Sequence, residues 1–284
     1  MIDAARSLVG STWVSLIAAA LSATAATAQT TPSLPAARIA VSALHGPIRL
    51  STLGGEPDQA IIHGNVNAQD WSPRGDRLVY VDDRGGGDYA LSIADTLGAT
   101  TRLPVPMRST WPQFSRNGEW IYFFTQDDSP PRIYRIRPDG QRLQPLLPGS
   151  FPAPAPDGAR IAMTSSTGLW VGDPVTEIGA VVPHTSPHAI ATRWSPDGQW
   201  IAYRDRQRGG VTILRPDGTD RRVIEAPPIG GLSWSPDGAW LLGGNVDGAG
   251  LQLIDARSGV SHLLPVKGVY PAWKPRGAGM VATR

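Results

Sequence analysis

One short pattern recurs along this chain at an almost fixed interval. Trp-Ser-Pro-Asp-Gly begins at Trp194 and again at Trp234, and related segments begin at Trp71 (WSPRGD), Phe114 (FSRNGEW), Pro154 (PAPDG) and Trp273 (WKPRG). The six starts are separated by 43, 40, 40, 40 and 39 residues. A period of that length means stacked supersecondary units, each burying its apolar face on the next. Composition restricts what the unit can be. With 32 Gly and 27 Pro among 284 residues, a helical bundle is excluded, because helix interiors do not tolerate breakers at that density. Ten Trp and 41% hydrophobic content exclude a disordered chain. Of the 24 acidic residues 20 are Asp, the acid that forms turns.

Each repeat continues alike. A short strand follows the turn (LVYV from Leu78, WIYFF from Trp120, RIAM from Arg160, WIAY from Trp200, WLLG from Trp240). A second strand comes next, as in YALSIAD, RIYRIRPDG, LWVGD, VTILRPDG and LQLIDARSG, then a third near RLPV, RLQPLL, RRVIE or SHLLPV. A fourth leads into the next aromatic residue, as in AIATRW and GGLSW. Period-two alternation and β-branched residues support strands at these places. Four short strands every forty residues predict an all-β fold, a six-bladed β-propeller of four-stranded antiparallel blades. The first blade takes RIAVS, PIRLST and QAII from residues 38–63 and its inner strand from VYPAW at 269–273, so pairing of the N- and C-terminal strands closes the ring and removes sheet edges. IAVS at 39–42 and MVAT at 280–283 compete for one place in that blade.

Residues 1–28 read as a secretory signal peptide: Arg6, an apolar stretch from Leu8 to Leu21, and Ala26-Thr27-Ala28 as the cleavage site. Residues 29–37 are a flexible leader and 38–284 the propeller. The expected location is the periplasm, with no integral membrane segment after cleavage near Ala28. No cysteine is present, which excludes disulfides and lipid attachment through Cys. A net charge of only +2 argues against a nucleic-acid partner.

The WSPDG turns and the PDG elements at 137–140 and 215–218 resemble the WD40-like repeats of the TolB family of periplasmic β-propellers, across essentially all of 38–284. The resemblance does not reach the α/β domain that precedes the propeller in that family, for which about ten leader residues leave no room. It implies a scaffold for an envelope protein, for instance a Pal-like lipoprotein or a peptidoglycan-associated protein.

The repeated residues themselves read as architecture. Pro fixes φ, Asp bonds its own backbone and Gly accepts positive φ, which builds a tight turn at Asp197-Gly198 and Asp237-Gly238. Trp71, Phe114, Trp194, Trp234 and Trp273 are apolar plugs between neighbouring blades. Those turns share one end of the blades, and the irregular loops share the other, where binding is expected. That end holds Asp82, Asp83, Asp127 and Asp128 on one side and Arg204, Arg206 and Arg208 on the other, a division that could orient a protein partner. His63, His184 and His188 lie toward the channel mouth on the same end and mark the rival reading, a carbohydrate- or peptide-processing enzyme with a His/acidic site. No G-x-S-x-G, H-E-x-x-H or P-loop motif is present, and neither a metal nor a cofactor is expected. The expected assembly state is a monomer.

Overall fold

The computed structural model describes residues 37–56, 59–226, 229–247 and 249–275. The signal-peptide and leader assignments for 1–36 and the segment 280–283 lie outside the described residues. The described chain is all β, and no helix in it is long and apolar enough to cross a membrane.

Seven strands form the first sheet: β1 (Arg38–Ser42), β2 (Gly46–Thr52), β3 (Gln59–Trp71), β4 (Arg77–Asp83), β5 (Tyr89–Asp95), β6 (Thr100–Arg102) and β23 (Tyr270–Trp273). Their order is β23-β1-β2-β3-β4-β5-β6. Four sheets of four strands follow. They contain β7 (Ser109–Phe114), β8 (Ile121–Thr125), β9 (Arg132–Ile136) and β10 (Gln144–Pro148); β11 (Ser150–Pro154), β12 (Ile161–Thr164), β13 (Leu169–Gly172) and β14 (Gly179–Val181). The remaining two are β15 (Ala189–Trp194), β16 (Ile201–Asp205), β17 (Val211–Leu214) and β18 (Arg222–Ile224); then β19 (Ile229–Trp234), β20 (Trp240–Asn245), β21 (Gln252–Asp255) and β22 (Ser261–Leu263). All pairings are antiparallel. β1 lies beside β23 with Ile39 opposite Trp273 and Ser42 opposite Tyr270, so residues 39–42 occupy the place for which 280–283 competed.

Two expectations need correction. QAII is not a separate strand: β3 runs thirteen residues without a break, pairing with β2 through its first part and with β4 through its second. The other inter-repeat connections carry prolines that stop a strand, whereas residues 59–71 contain none. The first of the outer strands also sits earlier than RLPV, because Pro104 and Pro106 offer no donor and β6 ends at Arg102.

Apolar clusters join one sheet to the next. Ile39, Val41, Leu242, Leu253, Val266 and Trp273 form a core between the first sheet and the last. Val79, Leu91, Phe114, Ile121 and Phe123 join the first sheet to that of β7–β10. Full burial of one such side chain stabilises by about 1.5–3 kcal/mol, so these clusters hold neighbouring sheets face to face.

The turns after Trp194 and Trp234 have one construction, shared after Phe114 by Ser115 and Asn117, whereas after Trp71 the Ser72 hydroxyl donates to Asp76. Ser195 Oγ donates to Asp197 Oδ1 at 2.5 Å and accepts the Trp200 N–H at 2.9 Å, while Asp197 Oδ1 accepts the Gln199 N–H at 3.0 Å. Ser235 and Asp237 repeat these bonds with Ala239 and Trp240. Gly198 and Gly238 both have φ +72°, the left-handed region in which a Cβ is costly.

The strand before each of five turns carries a β-bulge at the same position. Register shifts fall between Asn67 and Gln69, Thr110 and Gln113, Ser150 and Ala153, Ile190 and Arg193, and Ile229 and Leu232. Four bulges hold a non-glycine residue at positive φ: Ala68 (47°), Trp111 (57°), Phe151 (51°) and Ala191 (56°). Bulges bend a strand and re-aim its side chains. Trp111 and Phe151, both at bulges, meet edge-on at 5.1 Å, and Tyr270 of β23 packs edge-on to Trp111 at 5.9 Å.

Candidate functional site

Two cavities stand out, and Tyr270 of that aromatic cluster lines the first. The first, of about 230 Å³, opens among the irregular loops and is lined by Leu44, Asn67, Val81, Tyr89, Arg108, Ser109, Thr110, Gln126 and Tyr270. The β1–β2 loop supplies Leu44, which is 57% exposed, and the β8–β9 loop supplies Gln126. Arg108 is fixed by Asp127: Nε donates to Oδ1 at 2.6 Å and the backbone N–H to Oδ2 at 2.7 Å. Those two bonds, the backbone one first, hold the Asp127 carboxyl below the usual carboxylate range. Asn67 Oδ1 is buried without a hydrogen-bond partner, and burial raises the Tyr270 phenol.

The other acidic residues are also engaged within this end. Asp83 pairs with His45 Nδ1 at 2.8 Å and accepts the Gly85 N–H at 3.0 Å. Asp82 accepts from Arg84 Nε at 2.8 Å, and Asp128 from the Tyr134 hydroxyl at 3.0 Å. All four carboxylates therefore have hydrogen-bond partners within this end, and two of them, Asp82 and Asp127, have an arginine.

Arg204, Arg206 and Arg208 lie at the end of β16 and in the loop that follows it. Buried Asp205 shapes that loop, its Oδ1 accepting the N–H groups of Gln207 at 2.9 Å and Arg208 at 3.1 Å. Burial, then the like charge of Arg206, lowers the Arg204 guanidinium. The His188 carbonyl accepts the Arg206 N–H at 3.0 Å, which joins the arginine loop to the connection holding His184 and His188. His184 accepts from Arg221 through its carbonyl at 2.6 Å. His63 stands apart, on β3 in the first sheet. All three imidazoles are exposed, and no three His, Cys, Asp or Glu residues come together in metal-binding fashion among the described residues.

The second cavity, of about 150 Å³, was passed over by sequence reasoning. It opens at the end bearing the repeated turns, and its walls come from β3, β7, β11, β15, β19 and β23. Four of its residues immediately precede a repeat aromatic: Asp70, Gln113, Arg193 and Ser233. Asp70 Oδ2 accepts the Phe114 N–H at 2.9 Å, and Ser233 Oγ accepts the Trp273 N–H at the same distance, so this position links one inner strand to the next. Burial lifts the Asp70 carboxyl to about 6 against the opposing attraction of Arg193, and burial lowers the Arg193 guanidinium. Arg193 also lies 5.9 Å over the Trp111 ring. The legible signal was variation: Asp, Gln, Arg and Ser alternate at one position inside an otherwise constant frame.

Repeated four-stranded sheets in series, packed through their inner strands, define a β-propeller-type protein. Comparison with solved structures makes this specific. TolB from Acinetobacter baumannii superposes with a TM-score of 0.73 at 18% identity, covering 84% of this chain and 67% of that one. A chain of a nidogen/laminin complex gives 0.67 at 12% identity, covering 84% and 98%. The fold is a TolB-like propeller. In sequence, the uncharacterized protein Atu1656 of Agrobacterium fabrum is 30% identical over 102 residues, which span 34% of this chain and only 34% of that protein. No family model matches the chain.

Proposed function

We propose that the chain is a closed six-bladed propeller, exported to the periplasm, that binds a protein of the cell envelope through its irregular-loop end as a monomeric, non-catalytic scaffold. The blade count follows if β3 serves twice, as the outer strand of blade one (β23, β1, β2, β3) and the inner strand of blade two (β3 to β6). Closure is supported by the inner strands packing in succession, with β23 against both β19 and β3. Export fits the apolar N-terminal segment 1–28 and the TolB-like fold.

The observation that carries the binding reading is the contrast between the two ends. Ser and Asp side chains of the repeated turns are occupied with their own backbone, whereas the loop end offers exposed Leu44 beside a cavity and an arginine-bearing loop. The TolB-like fold supports a Pal-like lipoprotein as that partner. The test is crosslinking in the native envelope followed by mass spectrometry, comparing wild type with Asp83→Ala, Asp127→Ala, Asp128→Ala, Arg204→Ala and Arg206→Ala combined. The expected result is a lipoprotein adduct that the variant loses. An unchanged adduct would remove the loop end from the interface, and turnover of a glycan or peptide by the purified protein would favour the enzyme reading.

A further inference from the structure

The cavity at the repeated-turn end holds two opposite charges that do not meet. Asp70 projects from β3 and Arg193 from β15, three repeats later, and both line the same cavity. Both are half-buried, and no ion pair among the described residues joins them. Each has only partial local compensation. Asp70 has the N–H groups of Phe114, at 2.9 Å, and of Trp71, while the Arg193 Nη1 contact to the Thr192 carbonyl is a long 3.4 Å. Withdrawing a carboxylate and a guanidinium from water without pairing them is costly, and burial visibly perturbs both groups. A molecule spanning the gap with an ammonium toward Asp70 and a carboxylate toward Arg193 would relieve both at once.

Size narrows the class. At about 150 Å³ the cavity is small, which suits a ligand of a few heavy atoms. Pro73, Pro156, Pro196 and Pro275 contribute rigid, donor-free wall. The Ser233 hydroxyl, which accepts the Trp273 N–H, keeps its own proton to donate. We propose that this cavity binds a small zwitterion of the free amino-acid class, glycine to serine in size, with its carboxylate on Arg193 and its ammonium on Asp70. This site is at the opposite end from the loop surface and is independent of the partner reading.

The test uses the whole protein and defined probes: glycine, L-alanine, D-alanine, L-serine and β-alanine, with ethylamine and propionate as single-charge controls. Thermal unfolding and titration calorimetry are followed at neutral pH. At one hundred times its dissociation constant a bound zwitterion raises Tm by roughly 5–10 °C. Arg193→Gln and Asp70→Asn should each weaken binding at least about tenfold, the loss of one charge-assisted contact. The single-charge controls should bind correspondingly weakly, a comparison that needs no variant. A Tm unmoved by every zwitterion overturns the proposal. So does equal binding of ethylamine or propionate, or binding that survives in both variants.

Discussion

The side-chain amide of Gln113 on β7 donates to the main-chain carbonyl of Thr192 on β15 at 3.0 Å, reaching past the intervening sheet that contains β11. Gln113 is buried, so this bond ties together two sheets that are not sequence neighbours. Gln113→Ala removes that bond, and the Arg193 side-chain contact to the same carbonyl is a long 3.4 Å. The expected loss is about 1–3 kcal/mol, read as a lower urea midpoint with an unchanged slope. An unmoved midpoint would show that the bond contributes nothing to holding the inner strands together.

Asp70 makes the stability of the protein depend on pH in an unusual direction. Its carboxyl is at about 6 in the folded chain against 3.8 as the ordinary value, so the native state holds the proton more tightly. Between those values the folded form binds more protons than the unfolded one, and this group's contribution falls as pH rises. The full penalty, up to about 3 kcal/mol from the size of the shift, is present above pH 6. Asp70→Asn keeps an oxygen for the Phe114 N–H and removes the penalty. Its stability relative to wild type should therefore climb from pH 4.5 to pH 7.5. Parallel pH profiles for the two proteins would contradict this.

Gly244 on β20 lies under the backbone of Val269. A Cβ there would sit 1.8 Å from the Val269 carbonyl oxygen, which also accepts the Gly231 N–H at 2.8 Å. Neither atom belongs to a flexible side chain that can swing away. Gly244→Ala should cost about 3 kcal/mol or more and lower Tm by roughly 5–10 °C, measurable by circular dichroism. Wild-type Tm in this variant would mean that the segment entering β23 does not pack on β20.

Within the repeated turn, the two key positions should differ in tolerance. The repeat at Pro154 has Ala155 where four others have Ser, yet it keeps the Ala155 N–H to Arg160 carbonyl bond at 2.8 Å. Ser195→Ala is therefore expected to cost only about 1 kcal/mol. Gly198→Ala forces a Cβ to φ +72° and should cost about as much again through the backbone alone. Chemical denaturation of the two single variants and the double variant checks both values.

The repeat architecture was legible because Pro, Asp and Gly at the turns act locally, and local chemistry survives in the sequence. The continuous β3 was less so, since its division depended on the absence of proline and not on any residue present. Positive φ at Ala68, Trp111, Phe151 and Ala191 could not be anticipated, because these residue types ordinarily avoid that region and only packing between inner strands holds them there. The loop end was identified from topology, but the hydrogen bonds that engage Asp82, Asp83, Asp127 and Asp128 depend on neighbours that spacing does not reveal. Asp70 and Arg193 are 123 positions apart, and nothing short of the fold brings them to one cavity.

The most direct measurement places a photo-crosslinking amino acid at position 44, beside the loop-end cavity, and in a second protein at position 239, in a repeated turn. Both are expressed in the native envelope and irradiated. A discrete adduct with an envelope lipoprotein at position 44 and none at 239 is the predicted result. The same adduct from position 239, or no adduct from position 44 in folded protein, would contradict binding through the loop end.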